Sequence, residues 1–357
     1  MHRWKYLAGF TAPLSVAAAI ALPGGWSFLG LAYAFGLVPL LEALLPPGTR
    51  NLSEAEEAVA AEDPWYDWML YLLVPIQWAL VLYFLSGAAT GTWTLLEWVG
   101  KTGSLGVACG TLGINVAHEL GHRTRPHERV MAKILLASSL YQHFIIEHNL
   151  GHHKNVSTGE DPASAPYGMS LYAFIPRSVW GGWRSAWHLE ARRLERRGRA
   201  FWSHHNEMLR FTVLQAGLLV GIGLAFGPAA LAGFVGAAAV GIGLLETVNY
   251  IEHYGLRRRQ KASGRYERVQ PHHSWNSSHP WGRLMLFELT RHSDHHYLAS
   301  RPYQVLRHFE EAPQMPAGYP AMVLLATVPP LWFAVMNPRA RRVMGEDGAS
   351  LPSVAAG

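Results

Sequence analysis

Six apolar stretches, at 7–22, 26–45, 67–89, 93–117, 209–226 and 229–250, constrain this chain more than any other feature. Each approaches the ~20 residues a helix needs to cross hydrocarbon. In lipid every backbone polar group needs an internal partner, and a helix supplies one for each. Charged residues make up only 15% of the chain, against ~25% in an ordinary soluble domain. The expected fold is therefore an all-α integral membrane protein with six transmembrane helices. Arg3 and Lys5 before the first stretch imitate a signal peptide, but the apolar stretches that follow favour a retained helix. Pro23-Gly24-Gly25 turns the first two stretches into a hairpin, and Glu97 and Lys101 interrupt the fourth, spaced i, i+4 to pair near a membrane face.

Charge sets the orientation. The tract from Arg184 to Arg210 and the run Arg257-Arg258-Arg259 are strongly basic, and loops rich in Arg and Lys stay in the cytoplasm. Six spans then place the N-terminus, residues 118–208 and the part from about 251 onward on that side, as a helical cap. Within the cap, 135–149 reads as one partly buried helix, 161–166 as a loop and 260–280 as a polar cover. The polar tail after Asn337 is expected to be mobile. The whole is expected to form a single membrane-embedded catalytic domain.

All the histidine clusters fall on this same cap. They read HELGH (His118, His122), EHNLGHH (His148, His152, His153), NYIEHYG (His253) and RHSDHH (His292, His295, His296). Neutral imidazole is the commonest metal ligand. On a helix, positions i and i+4 share a face, so His118 with His122, His148 with His152, and His292 with His296 form candidate ligand pairs. The adjacent His153 and His295 point elsewhere, toward a second ion. Nine imidazoles exceed the needs of one ion and suit two, with four or five each. All-nitrogen ligation leaves Zn, Cu, Fe and Ni open. HELGH also matches the zinc-protease pattern HExxH, but a protease needs one further ligand, not seven.

The remaining histidines, among them His127, His188, His204, His205, His279 and His308, read as surface residues, and His143 as a marginal candidate. The adjacent His272 and His273 are the strongest rivals to the nine. The lone cysteine, Cys109, excludes a disulfide framework, a cysteine-rich zinc site and an internal iron–sulfur domain. Electrons, if used, come from a separate partner. No motif supports nucleic-acid binding.

In order, spacing and hydropathy the four clusters resemble those of the alkane 1-monooxygenases, a branch of the histidine-box membrane desaturases and hydroxylases. NYIEHYG, RHSDHH and the GEDPAS stretch 159–164 carry the resemblance to that branch. It departs at Leu150, where an arginine is often found, and at Tyr297, where a small residue is. The resemblance implies O2-dependent terminal hydroxylation at a non-haem centre of two iron ions. It also implies electrons from a rubredoxin, reduced by an NAD(P)H-dependent rubredoxin reductase, and a bacterial inner-membrane location with the site facing the cytoplasm. A fatty-acyl desaturase or hydroxylase is the nearest alternative. Metal-bound histidine donates its other N–H to a carboxylate or carbonyl. Asp294, Glu119, Glu147 and Glu252 are candidates for that role, with plain salt bridges as the alternative. The alkane is expected to arrive laterally from the membrane lipids, past small residues at Gly106, Gly110 and Gly113. The basic tracts would attract an acidic electron carrier or anionic headgroups.

Overall fold

A computed structural model describes residues 3–345, and among them every regular element is helical. The chain opens with a 3-10 turn (Arg3–Phe10) that leads into α1 (Thr11–Ala21). A tight turn then enters α2 (Gly24–Leu44), and α3 (Glu54–Glu62) and α4 (Trp65–Ala89) follow. α5 (95–122) is continuous but includes a π-helical segment, Cys109–Asn115, before the HELGH turn. α6 (Pro126–Ala137) leads to α7 (144–155), α8 (Leu171–Arg196) and α9 (Glu207–His253). The short α10 (Pro280–Met285) and α11 (His292–Tyr297) precede α12 (Tyr319–Ala326) and α13 (Pro329–Met344).

α2, α4 and α9 are long and apolar enough to cross a membrane. α9 is two limbs rather than one rod. Gly227 adopts φ 85°, ψ 170°, a region open essentially to glycine alone. Pro228 then restarts the helix with its fixed φ and missing N–H where neither does harm. The break falls between the fifth and sixth predicted spans. The first predicted span is not a full crossing helix: its first residues are 3-10, and α1 has 11 residues, about 17 Å at 1.5 Å per residue.

The predicted pairing of Glu97 with Lys101 is also corrected. Glu97 closes a capping box with Thr94 and accepts the Gly24 N–H at 2.8 Å. Lys101 Nζ donates to the carbonyls of Ala19, Ile20 and Leu22 at the end of α1. Each side chain satisfies backbone that the helix ends leave orphaned, so together they tie the α1–α2 turn to α5.

In the cap, 135–149 is not one helix. α6 ends in a turn where Leu140 takes φ 54°, and α7 begins only at Phe144. Within segment 260–280, Trp275 is fixed to the end of α9, donating its indole N–H to Tyr254 O at 2.9 Å and its backbone N–H to Glu252 O at 2.8 Å. α12 and α13 are unforeseen. They bring Tyr319, Trp332 and Met336 against Tyr250 and Tyr254, making a second core behind the end of α9. α13 continues to Met344, past Asn337 where a mobile tail was expected; the expectation for 346–357 lies outside the described residues.

Replacing Gly227 by alanine is expected to cost about 1–3 kcal/mol, read as a lower thermal midpoint. Gly217→Ala, in a regular stretch of the same helix with open space around it, should leave the midpoint unchanged or raise it.

Candidate metal centre

The end of α5 carries His118 and His122, spaced so that both rings face the cap interior with centroids 4.9 Å apart. α7 meets them differently from a plain α-helix, because His148–His152 forms a π-helical turn. With i→i+5 bonding, residues five apart come into register, so His148 pairs with His153, their Nε2 atoms 3.0 Å apart. His152 turns to the other side. The expected pairing of His148 with His152 is thus exchanged.

α11 supplies the remaining triplet. His295 faces the first set, its Nε2 2.9 Å from that of His118 and 3.1 Å from that of His153. His292 and His296 face away, Nε2 atoms 2.9 Å apart, and meet His253 from the end of α9 at 3.2 Å. The nine imidazoles therefore gather in two groups, His118, His122, His148, His153 and His295, and His152, His253, His292 and His296. Within each group the potential ligand atoms lie within 4.8 Å of one another. The groups adjoin through the rings of His153 and His296, centroids 4.5 Å apart.

The protonation states suit metal binding. Burial holds His118, His148, His153, His292, His295 and His296 well below the ordinary imidazole range, and His122 at about 3. Burial also pulls on His152, but the Asp161 carboxylate outweighs it and raises that ring. His152 Nδ1 lies 2.9 Å from Asp161 Oδ2, while its Nε2 is buried without a partner. Asp161 thereby fixes one tautomer and leaves the Nε2 lone pair aimed into the four-histidine group. A cation fits both donor sets, since converging neutral imidazole nitrogens cannot all hydrogen-bond one another.

Asp161 escaped the sequence reading, although GEDPAS contains it. The four named carboxylates separate. Glu252 Oε2 stands 3.2 Å from His292 Nε2, and Tyr319 donates its hydroxyl to the other oxygen at 2.8 Å. Glu147 is buried beside His152 at a cavity of about 20 Å³, and burial with the nearby Asp161 raises it to about 8. Glu119 pairs with Arg123 at 2.8 Å and accepts the Tyr303 N–H. Asp294 accepts the Arg307 N–H at 2.7 Å and approaches Arg301. Both secure the chain leaving α11, and they bond to these groups rather than to an imidazole.

His272 and His273 lie apart from the nine, in a group with Glu267. His273 is buried, not superficial: its Nδ1 accepts the Gln270 N–H and its Nε2 faces Glu267 at 3.2 Å.

An apolar cavity reaches both histidine groups. Its walls include Ala34 and Phe35 of α2, Val107 and Gly110 of α5, and Leu244 and Val248 of α9. It ends on His118, His148, Glu252 and His292. Of the three glycines expected to open a channel, only Gly110 lines it. A Cβ on Gly106 would stand 2.4 Å from Val240, and one on Gly113 2.5 Å from Ser139 Oγ. Those two glycines permit close packing instead.

Comparison with known proteins agrees with this architecture. Residues 96–326 match the family described as Fatty acid desaturase, the class defined by such histidine clusters on membrane helices. Within it the relatives are specific. Alkane 1-monooxygenase 2 of Pseudomonas aeruginosa is 43% identical over 89% of this chain and 85% of its own length. The alkane 1-monooxygenase of Acinetobacter baylyi is 38% identical over 87% and 76%. A more distant relative, the hydroxylase component of xylene/toluene monooxygenase from Pseudomonas putida, is 29% identical over 88% and 82%. The chain belongs to the alkane 1-monooxygenase family, and the desaturase and zinc-protease alternatives give way to it.

Asp161→Asn is expected to weaken metal binding about 10–100-fold, measured by competition with a chelator, whereas Asp294→Asn should leave it nearly unchanged. Equal losses would show that Asp161 has no special hold on His152. Acid should also destabilise the metal-free protein. His118, His122, His148, His153, His292, His295 and His296 stay neutral when folded but titrate near 6.5 once unfolded, and they outnumber His152, the one that Asp161 raises, so the unfolded chain binds more protons and stability falls as pH drops below about 6.5. Denaturant midpoints flat from pH 7 to 5 would contradict this.

Proposed function

We propose that the chain hydroxylates the terminal methyl group of alkanes at two iron ions, one in each histidine group. The observation that carries this reading is the apolar cavity ending on His118, His148 and His292, which joins a hydrocarbon-shaped space to both groups. The balanced reaction takes an alkane, O2, two electrons and two protons to a 1-alkanol and water. Iron supplies what no side chain can, reductive use of O2 and attack on an unpolarised C–H bond.

The residues around it have definable tasks. The five-histidine and four-histidine groups hold the ions, Asp161 fixes the His152 tautomer, and Glu252, steadied by Tyr319, offers a carboxylate at the cavity floor. The apolar walls orient the methyl group and exclude water. Electrons come from rubredoxin, reduced by its NAD(P)H-dependent reductase. The exposed Arg192, Arg196, Arg197 and Arg199 favour an acidic carrier. The same basic tract supports a bacterial inner-membrane setting with the centre on the cytoplasmic side.

Purified protein supplied with iron, rubredoxin, reductase, NADH and O2 is expected to form 1-alkanols from a graded alkane series. His148→Ala or His295→Ala should abolish product and lower bound iron. Full iron occupancy and unchanged activity in both variants would sink the di-iron assignment.

A further inference from the structure

The contacts of α8 show where the two ends of α9 lie. Near the start of α8 the Phe174 ring stands 5.4 Å from that of Tyr250. Near its end, Glu190 accepts the Glu207 N–H at 2.6 Å. Only about 24 Å of helix separates Phe174 from Glu190, whereas a straight helix from Glu207 to Tyr250 would measure about 65 Å. α9 therefore folds back at Gly227, its two ends open on the same side of the protein, and α8 runs across them. Since α9 is apolar enough to cross a membrane, α8 lies along the membrane surface rather than through it.

One face of α8 is buried, along the row Phe174, Ser178, Gly182, Ala186, Glu190 and Leu194. The other carries large side chains into the open. Trp180 is 60% exposed, Trp183 40%, and Trp202, just beyond the helix, 80%. Trp180, Trp183, Trp187, Phe201 and Trp202 form one aromatic row, successive ring centroids 5.1–6.1 Å apart. Within this row opens a cleft of ≈ 540 Å³, lined by Trp183, Trp187, Phe201 and Trp202 together with Arg184 and His188. Nearby, Arg193 and Arg210 pair with Glu190 and Glu207. Arg184 pairs with no carboxylate among the described residues, and none lines the cleft.

Tryptophan is enriched at the headgroup level of a bilayer, where its ring meets apolar and wet surroundings at once. The surface around the cleft changes in the same way. The first limb of α9 exposes Val213, Leu214, Val220 and Leu224, while the end of α8 exposes Arg192 and Arg196. The cleft sits where acyl chains would meet phosphates. A guanidinium holds a phosphate through two parallel N–H donors. Aromatic walls alone would also suit a trimethylammonium group, but the Arg184 charge opposes a cation there. We propose that the cleft binds the headgroup of an anionic phospholipid, with Arg184 and His188 on its phosphate. Trp183, Trp187 and Trp202 then pack around the glycerol and the first acyl carbons. The site shares no residue with either histidine group, so it stands independently of the reaction proposed above.

Native mass spectrometry of the full chain in detergent, supplied with phosphatidylglycerol or phosphatidylcholine, tests this. The wild type is expected to retain one phosphatidylglycerol under conditions that strip phosphatidylcholine. Arg184→Gln should weaken that retention about tenfold, the scale of losing hydrogen bonds to a charged group. Trp202→Ala should weaken it too, and neither variant should move the thermal midpoint in lipid-free detergent. Arg192→Gln removes a charge from the same helix outside the cleft and should leave retention as it was. Equal retention of the two lipids, or equal loss in Arg184→Gln and Arg192→Gln, would reduce the effect to diffuse attraction and overturn the site. Displacement of the lipid by glycerol phosphate alone would make it a site for a soluble phosphate and overturn the lipid assignment. Weaker binding of rubredoxin to Arg184→Gln, with phosphatidylglycerol retained in full, would give the cleft to the electron carrier instead.

Discussion

Every other feature of the cap follows from one constraint: nine imidazoles must stay neutral while buried with their lone pairs converging. An imidazole in such a place carries one proton and one acceptor, and nitrogens facing one another across 2.9–3.2 Å cannot all be satisfied among themselves. A cation shared within each group would satisfy them together. The fold meets this demand by bringing four helix segments to one point, each ending or bending where its histidines must turn inward. The π-helical turns in α5 and α7 stand next to that point, as such turns often do at functional sites. They cost regular hydrogen bonding and yield side-chain directions that an α-helix cannot offer.

The degree to which this was legible in the sequence depends on distance along the chain. The nine histidines were readable because metal chemistry needs that residue type and helical spacing clusters it. The division into two groups was readable as a number, but the partners within α7 were not. Whether His148 joins His152 or His153 depends on a hydrogen-bond shift of one residue that no local propensity marks. Asp161 was hidden for a related reason: it sits in a loop, and its partner His152 is nine residues away around a turn. Asp294, between two ligand candidates in sequence, instead accepts the Arg307 N–H from the chain leaving α11. Adjacency in a helix separates side chains by about 100°, so nearness in sequence was a poor guide to contact.

The membrane-facing half shows the same limit. Apolar length identified α2, α4 and both limbs of α9, with Gly227 falling between the two predicted spans. Lys101 and Glu97 looked like a local pair, yet each bonds backbone near the α1–α2 turn, over seventy residues away. Buried charges were drawn to orphaned carbonyls and N–H groups that only the tertiary fold exposes to them. α12 and α13 were missed because their apolar residues are interrupted by prolines at 329 and 330 and serve a compact core, not a span.

The arrangement of donors around the cavity floor is asymmetric in a way that bears on the chemistry. One group has five imidazoles and the other four, but Glu252 stands beside His292 in the smaller group, so both can reach five donors. The cavity floor includes His118 and His148 from the first group, and His292 with Glu252 from the second. A methyl group arriving there meets the junction of the two groups rather than either alone. The opposite side is polar: Asp161 behind His152, and Glu147 at a cavity large enough for a single water. Hydrocarbon and polar groups thus approach the same nine nitrogens from different sides. That separation would let an apolar substrate be held dry while protons reach the centre from the polar side.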